Sequence, residues 1–302
     1  MIELTGLIPA VFTPMDADGA LSLDVVGAYT DRLIDNGVSG ILVGGTTGEF
    51  ASLSIAERQD VAGAFLDAVD GRVPVVVHVG ANDLPGAQVL ATHADEIGAD
   101  AIAAAPPCFL KPSGVAGVVD WCARLTEMAG ETPFFYYHIP SMSGVELDML
   151  AFLDIAAERL PTFAGVKFTH EALDEYAMCI DEFGDDLQIL FGRDELLLPS
   201  LAVGATGAIG SGYNFVMPLY RALWGAFDAG DLESARTCQC MGIELIQTLA
   251  RYGYFAGGKF CMKLLGLDVG QPRAPLGQLT DEQQTTLRAE LDAMGFSSFA
   301  LR

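Results

Sequence analysis

Short apolar runs rich in β-formers alternate along this chain with longer amphipathic stretches, eight times over and without a break, which leaves few folds open. The runs fall at 7–12, 40–43, 73–79, 101–105, 133–137, 163–168, 187–191 and 207–209. Helical patterns lie between them near 22–36, 54–69, 85–97, 113–129, 146–159, 171–183 and 194–203, with an eighth at 216–228. Ser54-Ile55-Ala56-Glu57 reads as a capping box, Pro85 suits a first helical turn, and Gly37 and Gly98 sit where helices should stop. The runs are apolar on both faces, as strands of a helix-covered parallel sheet must be. Eight such units in about 230 residues predict an α/β fold, a (β/α)8 TIM barrel over 1–229. An open doubly wound sheet is the alternative, weakened by the absence of a GxGxxG turn after the first run.

Beyond Gly230 the pattern changes to helices near 231–250 and 256–265, then a turn-rich Gln271-Pro272-Arg273-Ala274-Pro275. Thr280-Asp281-Glu282-Gln283 caps a last helix. We expect 230–302 to be a helical extension packed on the barrel. With 51% hydrophobic residues in 302, a large core can form. No stretch approaches about twenty apolar residues, and no basic segment leads into an apolar one at the N-terminus, so neither a membrane span nor a signal peptide is expected. Six cysteines (108, 122, 179, 238, 240, 261) form no CxxC pair, which suits reduced thiols in a cytoplasmic protein. A net charge of −24 argues against nucleic acid as a partner, because binding phosphates needs a basic surface. The lysine-poor acidic surface suits a salt-adapted protein, and base-composition bias produces the same preference for arginine.

In such barrels chemistry collects at the C-terminal ends of the strands. Of four lysines, only Lys167 ends an apolar strand, Phe163-Ala164-Gly165-Val166-Lys167. A neighbouring aromatic strand ends on Tyr137. Burial disfavours a charged amine, and a neutral one can attack a ketone to form a Schiff base while a phenol relays protons. A strand-end lysine also serves in structural ion pairs. After strand 2, Gly44-Gly45-Thr46-Thr47-Gly48-Glu49 can cradle a carboxylate, or be a tight turn, with Glu49 ordering the loop. After strand 6 comes Thr169, on the side of the amine. After strand 7, Gly192-Arg193-Asp194-Glu195 offers two acids, usual as helix-start partners but able here to accept hydrogen bonds from polyol hydroxyls. After strand 8, Gly210-Ser211-Gly212 is another close-approach loop. His138 should face away from Tyr137, and His78, His93 and His170 lack metal-ligand spacing. No metal or other cofactor is expected.

GGTTGE, YYHIP, GVKFT and GATGAIGS, in this order along nearly the whole chain, resemble the dihydrodipicolinate synthase and N-acetylneuraminate lyase family of class I pyruvate aldolases. The resemblance implies a homotetrameric TIM barrel in which Lys167 forms a Schiff base with a 2-oxo acid. Thr46 and Thr47 would hold its carboxylate and Tyr137 would relay the proton. Synthases of the family carry an arginine where this chain has Met142, and lend a tyrosine across an interface where it has Phe109. The lyase branch is the nearer match. It implies that Asp194, Glu195 and Ser211, with the backbones of Gly192 and Gly210, bind the hydroxyl tail of a sialic acid, with Thr169 near the bond being cleaved. Arg193 and Gly212 depart from the usual residues of that branch, which leaves the sugar open. Expected activity is reversible cleavage of N-acetylneuraminate to N-acetylmannosamine and pyruvate. Another aldolase of the family, acting on a 2-keto-3-deoxy sugar acid or 4-hydroxy-2-oxoglutarate, is the alternative, and a non-catalytic sugar-binding barrel the more distant one.

Overall fold

The computed structural model describes residues 2–302. Eight strands alternate with helices: β1 (Gly6–Pro9), β2 (Ile41–Val43), β3 (Val75–His78), β4 (Ala101–Ala104), β5 (Phe134–His138), β6 (Phe163–Phe168), β7 (Gln188–Phe191) and β8 (Gly207–Gly210). All pair parallel, in the order β1-β8-β7-β6-β5-β4-β3-β2. A bridge between Ala10 and Leu42 joins the two ends and closes the barrel. Around it run α1 (Val26–Asp35), α2 (Ile55–Val69), α3 (Leu84–Glu96), α4 (Gly114–Thr126), α5 (Pro140–Ser143), α6 (Met149–Arg159), α7 (Leu173–Phe183), α8 (Leu197–Ala202) and α9 (Tyr213–Asp228). The C-terminal helices are α10 (Leu232–Arg251), α11 (Tyr254–Leu264) and α12 (Asp281–Ala293).

The caps behave as their chemistry dictates. Ser54 and Glu57 form a reciprocal capping box, as do Thr280 and Gln283, and Asp83 accepts from Gly86 ahead of Pro85. Three local features differ from expectation. Residues 194–203 are a 3-10 turn (Asp194–Leu196) followed by the short α8, with Pro199 in its first turn. A four-residue helix, α5, follows β5 because Pro140 is preset for a first turn. The eighth helix begins at Tyr213, with a break at Val216 just before Pro218.

The strands separate two apolar regions. Tyr29, Phe65, Phe134, Phe152, Phe168 and Tyr176 pack between sheet and helices. Ile8, Leu42, Val76, Phe135, Leu190 and Ile209 fill the lumen. Each such side chain contributes roughly 1.5–3 kcal/mol on burial. Strict alternation would place Ala164 and Lys167, three residues apart, on opposite faces. Ala164 packs inside, and so does Lys167, between outward Val166 and Phe168. A register shift against β5, where Phe134 faces Phe163 but Phe135 faces Gly165, resolves the conflict. This bulge turns Lys167 into the barrel mouth, above the Phe135 plug.

Candidate active site

Lys167 and Tyr137 are register partners on β6 and β5. Both are buried, and Lys167 Nζ stands 4.1 Å from the centre of the Tyr137 ring. No carboxylate of the described residues lies within ion-pair distance of this amine. Tyr137 Oη meets Thr46 Oγ1 at 3.2 Å, and Thr47 is buried beside Thr46 in the loop after β2. Under the phenol lies His78, edge-on to the ring at 5.9 Å. Its Nε2 accepts from the Ala105 amide and Arg58 holds its carbonyl oxygen. Burial first, then the charges of Arg58 and Lys167, drives the His78 imidazole well below its usual range, so it is a neutral strut. His138 packs outside the barrel against Phe168 and His170, facing away from Tyr137.

A second group forms where β7 and β8 end. Asp194 is buried; its Oδ2 accepts from the Gly212 amide at 2.7 Å, and its Oδ1 is buried without a well-formed hydrogen bond. Burial first, then repulsion from Glu195, pushes the Asp194 carboxyl up to about 7. A side chain at Gly210 would collide with this carboxylate, so the backbone there passes flush against it. Ser211 Oγ lies 2.7 Å from Tyr254 Oη on α11. Glu195 is turned toward Arg193, 3.3 Å away, which also holds Glu171 at 2.6 Å.

Thr169 lies at the end of β6, between the two groups. Its amide is anchored to the His138 carbonyl, while its hydroxyl is buried without a partner. The Gly192 backbone presses on that hydroxyl so closely that a Cβ would overlap it. The residues thus fall into one group around the amine (Lys167, Tyr137, Thr46, Thr47) and another around the buried acid (Gly192, Asp194, Gly210, Ser211), with Thr169 between them. Glu195 is the one residue engaged elsewhere, with Arg193.

Several supports were not anticipated. Tyr254 comes from a helix read only as packing. Gln239 on α10 accepts from the Leu198 amide and donates to the Asp194 carbonyl, fixing the acidic turn. Lys259 and Arg273 engage Glu49, which does order its loop. The available signal was Lys259 itself, a single cation inside the apolar Tyr254-Phe255-Ala256-Gly257-Gly258-Lys259-Phe260.

A parallel barrel with a buried lysine beside a tyrosine at its C-terminal mouth defines a class of Schiff-base enzymes, and similarity places the chain within that class. A model of the dihydrodipicolinate synthetase family matches residues 3–294, and the chain belongs to this family. The N-acetylneuraminate lyase of Rattus norvegicus is 38% identical over 302 aligned residues, covering 98% of this chain and 94% of the rat protein. The structure of Proteus mirabilis N-acetylneuraminate lyase superposes with a TM-score of 0.95 at 38% identity, covering 98% of this chain and 100% of that one. A native N-acetylneuraminate lyase structure from Aliivibrio salmonicida matches with the same TM-score and identity, covering 98% of each chain.

Proposed function

We propose that this protein is a class I aldolase, a carbon–carbon lyase, that cleaves N-acetylneuraminate reversibly to N-acetylmannosamine and pyruvate. The observation that carries the reading is Lys167 Nζ held over the Tyr137 ring, free of any acid, with Thr46 on the phenol. Lys167 attacks C2 of the open-chain ketone, and loss of water leaves an iminium. The C3–C4 electron pair moves into the enamine as the C4 hydroxyl surrenders its proton toward Tyr137, freeing the aldehyde sugar. The proton returns to C3, and water hydrolyses the iminium to release pyruvate and the amine. Thr46, Thr47 and the loop amides hold the keto-acid carboxylate. Asp194, Ser211 and the Gly192 and Gly210 backbones receive the polyol tail, Glu195 adds the oxygen that Arg193 does not hold, and Thr169 sits beside the breaking bond.

Met142, 62% exposed, stands where a synthase would present a guanidinium, which supports the lyase reading. Borohydride reduction with pyruvate should leave a stable adduct on Lys167, and incubation with N-acetylneuraminate should yield both products. An unmodified lysine would overturn the mechanism. Cleavage of a 2-keto-3-deoxy sugar acid in preference to N-acetylneuraminate would overturn the substrate assignment.

We read 1–229 as the barrel bearing the site and 230–302 as a helical extension serving it. A homotetramer suits the family resemblance and the exposed apolar Phe109 (86%) and Leu110 (82%), which a second copy would cover. Light scattering tests it. A cytoplasmic location is supported by six cysteines, all free. No helix among the described residues is long and apolar enough to cross a membrane.

A further inference from the structure

The loop that would hold the keto-acid carboxylate is itself pinned by a buried ion pair from the far end of the chain. Glu49 closes that loop with a left-handed backbone, φ 57°, an uncommon choice for a residue with a long side chain. Its amide donates to the Thr46 carbonyl at 3.0 Å, so its placement sets that of Thr46, whose hydroxyl meets Tyr137. The Glu49 carboxylate is fully buried, 2.7 Å from the equally buried Lys259 Nζ on α11. Its other oxygen accepts from the Arg273 amide at 2.8 Å. Lys259 also donates to the Thr13 carbonyl at 2.9 Å and to the Gln271 carbonyl at 3.3 Å. Thr13 in turn gives its hydroxyl to the Gly48 carbonyl at 2.7 Å. One ammonium therefore restrains the loop at two adjacent residues, Gly48 through Thr13 and Glu49 directly.

Removing two charges from water is costly, and an apolar pair of similar size is often no less stable. A buried pair in this place is better accounted for by the register it imposes than by net stability. We propose that Lys259 is a positioning residue for the keto-acid subsite, acting through Glu49 and Thr13 to fix Thr46 and Thr47 beside Tyr137. The proposal rests on Lys167 being the imine-forming residue.

Lys259→Met alone strands a buried carboxylate and is expected to unfold readily. The informative variant is therefore Glu49→Gln with Lys259→Met, which removes both charges and leaves no carboxylate stranded. In the intact protein, borohydride trapping of Lys167 is followed against pyruvate concentration, with circular dichroism and thermal unfolding alongside. The double variant should melt near wild type yet need about tenfold more pyruvate for half-maximal trapping, the effect of one lost charge-assisted hydrogen bond. Its trapping rate at saturating pyruvate should stay within about threefold of wild type, since the amine and the phenol are untouched. Wild-type half-saturation in a folded double variant would overturn the positioning role. So would a lost saturating rate with unchanged half-saturation. Absence of trapping in the wild type would instead remove the Schiff-base reading and this proposal with it.

Discussion

Gly165 passes so close to the Gln188 carbonyl oxygen that no Cβ fits between them. Its φ of 148° is one that other residues avoid, and it lies at the register shift that turns Lys167 inward. Gln188 cannot retreat, because its side chain ties down Leu4 and Ile2. Gly165→Ala must either strain this point, at about 1–3 kcal/mol, or slide β6. We expect a folded protein with kcat/KM lowered on the order of 10²-fold, because about 1 Å of misplacement at the amine suffices for that. Borohydride trapping and steady-state kinetics check it. Wild-type kinetics would mean the bulge is not what aims Lys167.

Tyr137 and Thr46 separate two steps that the proposed chemistry keeps distinct. Tyr137→Phe keeps the ring under Lys167 but removes the proton relay. Pyruvate trapping should persist, while cleavage of N-acetylneuraminate falls by roughly 10²–10⁴-fold. Thr46→Val should instead raise the pyruvate needed for half-maximal trapping. If Tyr137→Phe cleaved normally, the phenol would be packing only.

Asp194 links the proposed polyol subsite to pH. Its folded value of about 7 lies above the ordinary 3.8, so between these values the folded chain retains a proton that the unfolded chain has lost. The associated stability is complete below about pH 4 and is lost as pH rises through about 7. Asp194→Asn should remove that slope from a plot of melting temperature against pH. Ionised Asp194 is the stronger acceptor for sugar hydroxyls, so wild-type KM for N-acetylneuraminate should fall between about pH 6 and 8. In Asp194→Asn it should stay near the wild-type acid value throughout. A pH step surviving in the variant would assign the titration to another group.

The barrel, and the meeting of Lys167 with Tyr137 at adjacent strand ends, were legible because each announces itself locally. Alternation marks the strands, Ser54-Ile55-Ala56-Glu57 a helix start, and Lys167 and Tyr137 are polar residues ending apolar strands. The bulge was not legible, since it depends on a carbonyl of the next strand rather than on anything in Phe163–Phe168. Likewise hidden were the pairings of Glu49 with Lys259 and of Asp194 with Gln239, whose partners arrive from helices beyond the eighth repeat. Amphipathic periodicity describes how those helices pack and says nothing about which residue of the packed face meets a strand end. Glu195 illustrates the same limit: adjacent to Asp194 in sequence, it faces Arg193 instead of sharing the buried position.

Tyr254 supplies the last test, because it reaches the proposed polyol subsite from outside the barrel. Burial first, then the charge of Asp194, holds its phenol well above the usual range, so it remains protonated at any working pH. Its hydroxyl lies 2.7 Å from Ser211 Oγ and so fixes the orientation of the serine. Tyr254→Phe should raise KM for N-acetylneuraminate by roughly three- to tenfold, the equivalent of about 0.5–1.5 kcal/mol for one hydrogen bond. Pyruvate trapping should be unaffected, since Lys167, Tyr137, Thr46 and Thr47 lie at other strand ends. Combining Tyr254→Phe with Ser211→Ala should cost little more than either alone, because the two side chains form one unit. Additive losses in the double variant would show that each hydroxyl meets the sugar independently. An equal loss of pyruvate trapping would place Tyr254 in the general architecture of the barrel mouth.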